Sequence, residues 1–178
     1  MKTIEGSVFV GCTDMTSVMI PDSVTSIGSW TFFACTGLTS VTIPNSVKSI
    51  DERAFFICSA LTSVTIPFGV ESIKTWVFGG CISLTSVTLP DSLKSIEHWA
   101  FGGCTSLTSF TVPSGVTSIG DWVFYGCTGL KSVMIPDSVT HIGKGAFSLC
   151  GQLTIYSGSG SYAEKYAKEH SIHFCIRS

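Results

Sequence analysis

Residues 38–60 read LTSVTIPNSVKSIDERAFFICSA, and the chain repeats this phrase with small changes along most of its length. Cysteine returns at Cys12, Cys35, Cys58, Cys81, Cys104, Cys127 and Cys150, a step of 23 residues each time. Proline keeps the same step from Pro21 through Pro44, Pro67, Pro90 and Pro113 to Pro136. Phenylalanine keeps it from Phe9 through Phe32, Phe55, Phe78, Phe101 and Phe124 to Phe147. Isoleucine does so from Ile4 to Ile142. Four residue types held in phase over the chain mean a stack of equivalent coils, because one such unit cannot bury its own apolar positions.

Within the unit, Ser40 to Ile43 alternates polar and apolar residues and is β-branched, which predicts a strand with Val41 and Ile43 inward. Pro44 ends it, since proline donates no ladder hydrogen bond. Val47 to Ile50 predicts a second short extended run. The residues from Ala54 to Cys58 suggest a single helical or 3₁₀ turn. Leu38, Val47, Ile50, Phe55 and Cys58 would complete the interior, each stacked on its equivalents above and below. At about 4.8 Å per coil, seven coils span roughly 30 Å.

The pattern LxxVxIPxxVxxIxxxAFxxCxx resembles the BspA-like leucine-rich repeat family, from residue 1 to about residue 155. The end of the chain, from Tyr156-Ser157-Gly158 through Ser161 to Glu169, looks like the cap that closes such arrays. The resemblance implies a right-handed, curved, β-rich (α/β) leucine-rich repeat solenoid of about seven stacked coils, residues 1–155, followed by a helix–strand cap, residues 156–178. It also implies a non-enzymatic protein-binding or recognition scaffold of the adhesion or host-contact kind, on a cell surface or secreted. It carries over no catalytic residues and no cofactor.

The two ends read differently. Ser161 is a candidate N-cap with Glu164 as its capping-box partner, and Ile172-His173-Phe174 reads as a final strand. At the other end, Met1-Lys2-Thr3-Ile4 aligns with Val24-Thr25-Ser26-Ile27, so the first repeat is incomplete and no polar cap precedes it. Either the array continues upstream in a longer protein, or the open edge pairs with another chain. The opening residues do not form a signal peptide, but upstream sequence could hold one, which leaves localisation open.

Cysteine numbers 8. Seven occupy one column of the repeat, where a small apolar side chain packs inside the turn and its thiol can donate weakly to a carbonyl. Equivalent cysteines of adjacent coils come within bridging range, but they point the same way, which favours free thiols. Zinc needs converging ligands rather than a line, and His170, His173 and Cys175 make a loose trio without a fourth partner.

Function is sought where the repeat leaves the residue free. One such column holds Trp30, Arg53, Trp76, Trp99 and Trp122, then Gly145. Stacked coils would bring the tryptophans into a stripe about 5 Å per rung, with Arg53 placed for a cation–π contact. Such a stripe serves as an interface anchor, or its rings lie flat and cover the neighbouring turn; Phe33, Phe56 and Tyr125 would widen it. The other column pair is the outward strand face, Ser40/Thr42, Ser63/Thr65, Ser86/Thr88 and Ser109/Thr111, bracketed by Ser17/Met19 and Ser132/Met134. This sheet of hydroxyls could bind sugar or a protein loop, and resembles the regular lattices of ice-binding surfaces; equally, threonine is there for its strand propensity. Charges alternate down two further columns, Lys48/Glu71/Lys94 and Asp51/Lys74/Glu97, as register devices of small individual worth.

Hydrophobic residues make up 44% of the chain and charged residues only 12%, so the chain buries enough apolar surface to order itself. A formal charge of −2 lacks the basic footprint that nucleic acid binding needs. No stretch reaches the roughly 18 apolar residues of a membrane-inserted helix. No G-x-S-x-G, Walker loop, H-E-x-x-H or kinase signature occurs, and the acids after proline, such as Asp22, Asp91 and Asp137, fall in turns. The expectation is therefore no enzyme, no metal and no cofactor. A protein ligand is expected first; self-association through the N-terminal edge and carbohydrate binding on the Ser/Thr face are the alternatives.

Overall fold

The computed structural model describes residues 2–177; Met1, the first residue of the aligned opening, lies outside the described residues. Each coil contributes two short strands. The first series is β2 (Ser17–Met19), β4 (Ser40–Thr42), β6 (Ser63–Thr65), β8 (Ser86–Thr88), β10 (Ser109–Thr111) and β12 (Ser132–Met134). The second is β1 (Thr3–Ile4), β3 (Ser26–Ile27), β5 (Ser49–Ile50), β7 (Ser72–Ile73), β9 (Ser95–Ile96), β11 (Ser118–Ile119) and β13 (His141–Ile142). β14 (Thr154–Ser157), α1 (Tyr162–Glu169) and β15 (His173–Ile176) close the array. All pairing is parallel, and in-register partners such as Ser118↔Ser95 lie one repeat apart. The chain is a stacked-coil β-solenoid of about eight turns with a single helix among the described residues.

The segment expected to form a helical turn forms none. Between the second strand and the cysteine, the chain makes hydrogen-bonded turns instead, and two residues per coil adopt left-handed backbone, for example Arg53 (φ 57°) and Ile57 (φ 62°). The reason is the stacking itself. Amides at alternate residues donate to the next coil, Arg53 to the Thr75 carbonyl, Phe55 to Val77 and Ile57 to Gly79, at 2.9–3.1 Å. A helix would turn those donors inward along its own axis and leave the neighbouring coil unbonded.

The interior is a set of columns. Phe9, Phe32, Phe55, Phe78, Phe101, Phe124 and Phe147 stack with centroids 5.1–5.7 Å apart and planes within 12°. Beside them the thiols from Cys35 to Cys150 donate to the phenylalanine carbonyl of the coil before: Cys58 Sγ to Phe32 at 3.1 Å, Cys81 to Phe55 at 3.3 Å and Cys104 to Phe78 at 3.3 Å. All eight cysteines are free. Burial pushes the thiols of Cys81 and Cys127 up to about 12 and that of Cys150 up to about 11, so they remain protonated donors. Leu38, Val47, Ile50, Phe55 and Cys58 are buried as expected, while Val41 and Ile43 are half-buried.

The β ladders are not continuous. Both strand series lapse between the third and fourth coils, at β4/β6 and at β5/β7, and the first series lapses again at β8/β10. The first gap falls where Pro67-Phe68-Gly69 replaces the Pro-Asn-Ser of the preceding coil. Gly69 takes φ +103°, and the Lys48 ammonium donates to the Asn45 and Phe68 carbonyls. Lys48 therefore bonds backbone rather than Glu71, while the other charged column does pair, Lys74 to Asp51 at 2.6 Å. The repeat step also changes at the end: Ser132 pairs with Thr154, a 22-residue step. α1 then crosses over to β15. The Ser161 hydroxyl accepts the Glu164 amide at 3.2 Å, and Glu164 in turn accepts from the Gly160 amide at 2.6 Å, one residue earlier than the expected partner. Tyr166 closes the phenylalanine column, its ring 6.0 Å from Phe147 and at 71° to it.

Candidate functional site

The tryptophan column lies on left-handed backbone in every coil: Ser7, Trp30, Arg53, Trp76, Trp99, Trp122 and Gly145 all have φ between 57° and 62°. Left-handed geometry costs a bulky residue on the order of 1 kcal/mol. Glycine, serine and arginine hold the same backbone in this column, so the coil does not require an indole there. The direction of the backbone swings each side chain out of the core and along the stack.

The result is one aromatic ridge. Trp76 stacks on Trp99 at 4.5 Å and 8°, and Trp99 stacks on Trp122 at 5.7 Å and 21°. Phe56 bridges Trp30 and Trp76, at 6.5 and 5.0 Å. Arg53 fills the gap between these two tryptophans, with its guanidinium carbon 4.8 Å from the Trp30 ring centre. Phe33 meets Trp30 edge-on at 5.0 Å, and Tyr125 meets Trp99 and Trp122 edge-on at 5.0 and 5.5 Å. Where Phe and Tyr are missing from the second column, Gly79 and Gly102 stand instead, and Trp76 and Trp99 lean over them. A Cβ on Gly79 would come 2.5 Å from the Trp76 ring.

The ridge residues Trp30, Arg53, Trp76, Trp99 and Trp122 are all half-buried. Trp76, Trp99 and Trp122 cover one another's ring faces where they stack. No protein acceptor takes any of the four indole N–H groups among the described residues, and none of these nitrogens is sealed from solvent. Beside the ridge, His98 Nδ1 accepts the Asp121 amide at 3.0 Å. The Asp121 carboxylate lies 3.5 Å from the same nitrogen.

The Ser/Thr face has a different character. Ser40, Thr42, Ser63, Thr65, Ser86, Thr88, Ser109 and Thr111 are all exposed. Neighbouring threonines just outside the strands are engaged: Thr62 donates to the Thr39 carbonyl at 3.3 Å and Thr85 to the Thr62 carbonyl at 3.0 Å. The eight face hydroxyls bond no protein group among the described residues. Because the ladder lapses at β4/β6 and β8/β10, the face is three sheets side by side rather than one lattice. Met19 stands at its N-terminal end, 79% exposed.

The remaining candidate does not assemble. His170 stacks on Tyr166 at 4.0 Å, and His173 Nδ1 lies 4.0 Å from Cys175 Sγ. No group of three metal-ligating side chains converges among the described residues. No helix among them is long and apolar enough to cross a membrane. What sequence reasoning missed is the left-handed backbone under the tryptophans; glycine at Gly145 in the same column was the available signal.

The family model described as "BspA type Leucine rich repeat region" matches in six copies, over residues 2–78 and 56–164. A leucine-rich repeat protein of T. pallidum is 27% identical, with 87% of this chain and 62% of that one covered and a TM-score of 0.60. A leucine-rich repeat protein from Bacteroides ovatus is 26% identical, covering 100% of this chain and 58% of the other, with a TM-score of 0.61. The pneumococcal vaccine antigen PcpA has the same fold at 19% identity, with a TM-score of 0.65 over 100% of this chain and 60% of that one. The chain thus spans about three fifths of the length of these structures. No curated protein matches it.

Proposed function

Since the chain belongs to the BspA-type leucine-rich repeat family, we propose that it is a non-enzymatic recognition scaffold for a protein partner, of the adhesion or host-contact kind. The aromatic ridge is its contact surface. One observation carries this reading: four tryptophans occupy a left-handed backbone position that serine, arginine and glycine also hold, and their half-buried indoles have N–H groups neither bonded to protein nor sealed from solvent among the described residues. Tryptophan, tyrosine and arginine are the side chains that most often dominate binding energy at protein interfaces. Stacked rings are also rigid before binding, so little side-chain entropy is lost on contact.

The test compares the intact chain with a Trp76→Gly/Trp99→Gly/Trp122→Gly variant against a panel of purified extracellular proteins by biolayer interferometry. Glycine suits the left-handed backbone, as Gly145 illustrates, so the path of the coil is kept, and circular dichroism of the variant checks that it is folded. A partner bound by the parent and weakened at least about a hundredfold in the variant supports the ridge. A partner held equally by both moves the contact elsewhere.

A second reading rests on the eight exposed hydroxyls that bond no protein group. Such a face suits a carbohydrate, which brings its own donors and acceptors. A glycan array tests it, with Thr65→Val/Thr88→Val as the control. Self-association through the first coil is read by light scattering over a concentration series; a monomer at every concentration discards it.

A further inference from the structure

The ridge has an unusual hydrogen-bonding character. Tryptophan offers a donor and no acceptor, arginine offers donors only, and phenylalanine and glycine side chains offer neither. Down the ridge from Trp30 to Trp122, the Tyr125 hydroxyl is the one side-chain acceptor of the two aromatic columns. The rings of Trp76, Trp99 and Trp122 follow one another up the stack, with centres 4.5 and 5.7 Å apart, and none of their N–H groups has a protein acceptor among the described residues. A complementary ligand must supply acceptors without needing acceptors in return, and must offer apolar surface to the rings.

Building on the ridge as contact surface, we infer that its partner is a proline-rich segment in the polyproline II conformation. Proline has a carbonyl and no N–H, so a run of prolines is an acceptor-only chain with apolar rings. In the polyproline II helix the carbonyls make no internal hydrogen bonds and project outward. Three residues complete a turn in about 9.3 Å. The Trp76–Trp99 and Trp99–Trp122 ring centres are 4.5 and 5.7 Å apart, so two rungs of the ridge come close to the length of one such turn. A polyproline II segment laid along the ridge would therefore bring equivalent carbonyls to Trp76 and Trp122, with Trp99 between them. Proline segments also enter the complex already ordered, which suits a ridge with no enclosing groove to compensate ordering entropy. A sugar polymer is less well matched, because it needs acceptors for its hydroxyls and open ring faces for stacking, and the ring faces here are covered by each other.

The experiment titrates the intact chain with a proline homopolymer of about ten residues, followed by isothermal calorimetry, with a Gly/Ser peptide of equal length alongside. The decisive variant is Trp76→Phe/Trp99→Phe/Trp122→Phe. It keeps the stacked rings and removes the donors. Saturable binding of polyproline by the parent, at least about tenfold weaker in the phenylalanine variant and absent for Gly/Ser, is the expected result. Equal binding by the phenylalanine variant, equal binding of Gly/Ser, or no saturable binding of polyproline overturns the inference. If the phenylalanine variant melts early, Trp99→Phe alone gives the same reading. A protein partner lost in the triple glycine variant, on a chain that ignores polyproline, would keep the ridge and discard its proline ligand.

Discussion

Two aromatic columns run the length of this solenoid, two residues apart in each repeat, and they do different work. The inner column is phenylalanine in all seven coils from Phe9 to Phe147. From Phe32 to Phe124 it is fully buried. The outer column is tryptophan in four coils, arginine in one, and serine or glycine at its two ends. Both stack at 4.5–5.7 Å where rings follow one another. Stacking distance therefore does not distinguish core from surface. The backbone does: the left-handed residue turns its side chain out of the coil, and two residues later the chain points back in. An invariant inner residue reflects a packing requirement. A variable outer one reflects freedom, which is where a contact surface can be written.

The sharpest way to break this contrast is to empty one rung of each column. Phe78→Ala should lower stability by about 3–5 kcal/mol, since the ring lies between Phe55 and Phe101 and nothing can collapse into the gap. Chemical denaturation measures it. A loss near that of Trp99→Gly would mean that the two columns carry equal structural weight.

Alkaline pH probes the inner region from another side. Burial raises the Cys81 and Cys127 thiols from 9.0 to about 12, so the fold disfavours their thiolates. Unfolded thiols ionise near pH 9 and folded ones do not until about pH 12. Their contribution to stability is therefore complete below about pH 9 and is lost as pH rises toward 12. In the native protein near pH 8, a thiol reagent should label Cys12 and Cys175, which are half-buried, well before the six interior thiols. Rapid labelling of all eight would contradict the closed column.

Much of this was legible in the sequence, and the parts that were not have a common cause. Phased Leu38, Ile50, Phe55 and Cys58 fixed the coil and its interior because burial makes each position unforgiving. The thiol-to-carbonyl bond followed from a small donor held inside a turn. Local conformation was harder. Ala54 to Cys58 suggested a helical turn by composition, but intercoil amide bonds override local preference. The lapse at β5/β7 coincides with a change of turn chemistry at Phe68-Gly69, which periodicity passes over. In the tryptophan column the residues were visible, and so was Arg53 beside Trp30. Their half-buried posture was not, because it depends on a positive φ that only Gly145 hinted at.

Trp99→Gly, which loses contacts to Trp76, Trp122 and Tyr125, should cost about 2–3 kcal/mol, less than the inner column. Lost stacking of ~0.5–1.5 kcal/mol per pair and lost burial are offset by relief of the left-handed strain. Gly79→Ala sharpens the same point without touching a ring. The added methyl displaces the Trp76 ring outward, and the tryptophan emission should shift to the red and become more open to iodide quenching. Unchanged emission would mean that the ring already stands clear of the glycine.

The smallest effects separate two kinds of threonine that composition cannot tell apart. Thr85 and Thr88 sit three residues apart, both exposed, both in the same coil. Thr85 donates to the Thr62 carbonyl at 3.0 Å, one link in a ladder that also includes Thr39 and Thr62. The Thr88 hydroxyl bonds no protein group among the described residues, although its carbonyl accepts the Ile66 amide at 2.9 Å. Thr85→Ala removes a net hydrogen bond and should cost about 0.5–1 kcal/mol, whereas Thr88→Ala should stay within about 0.5 kcal/mol. Denaturation midpoints of the two variants and the parent settle the order. A larger cost at Thr88 would mean that the face hydroxyls hold the coils in register and are not free for a ligand. Equal, negligible costs would mean that the Thr39–Thr62–Thr85 ladder follows the stack rather than fixing it, leaving the interior columns to set the register alone.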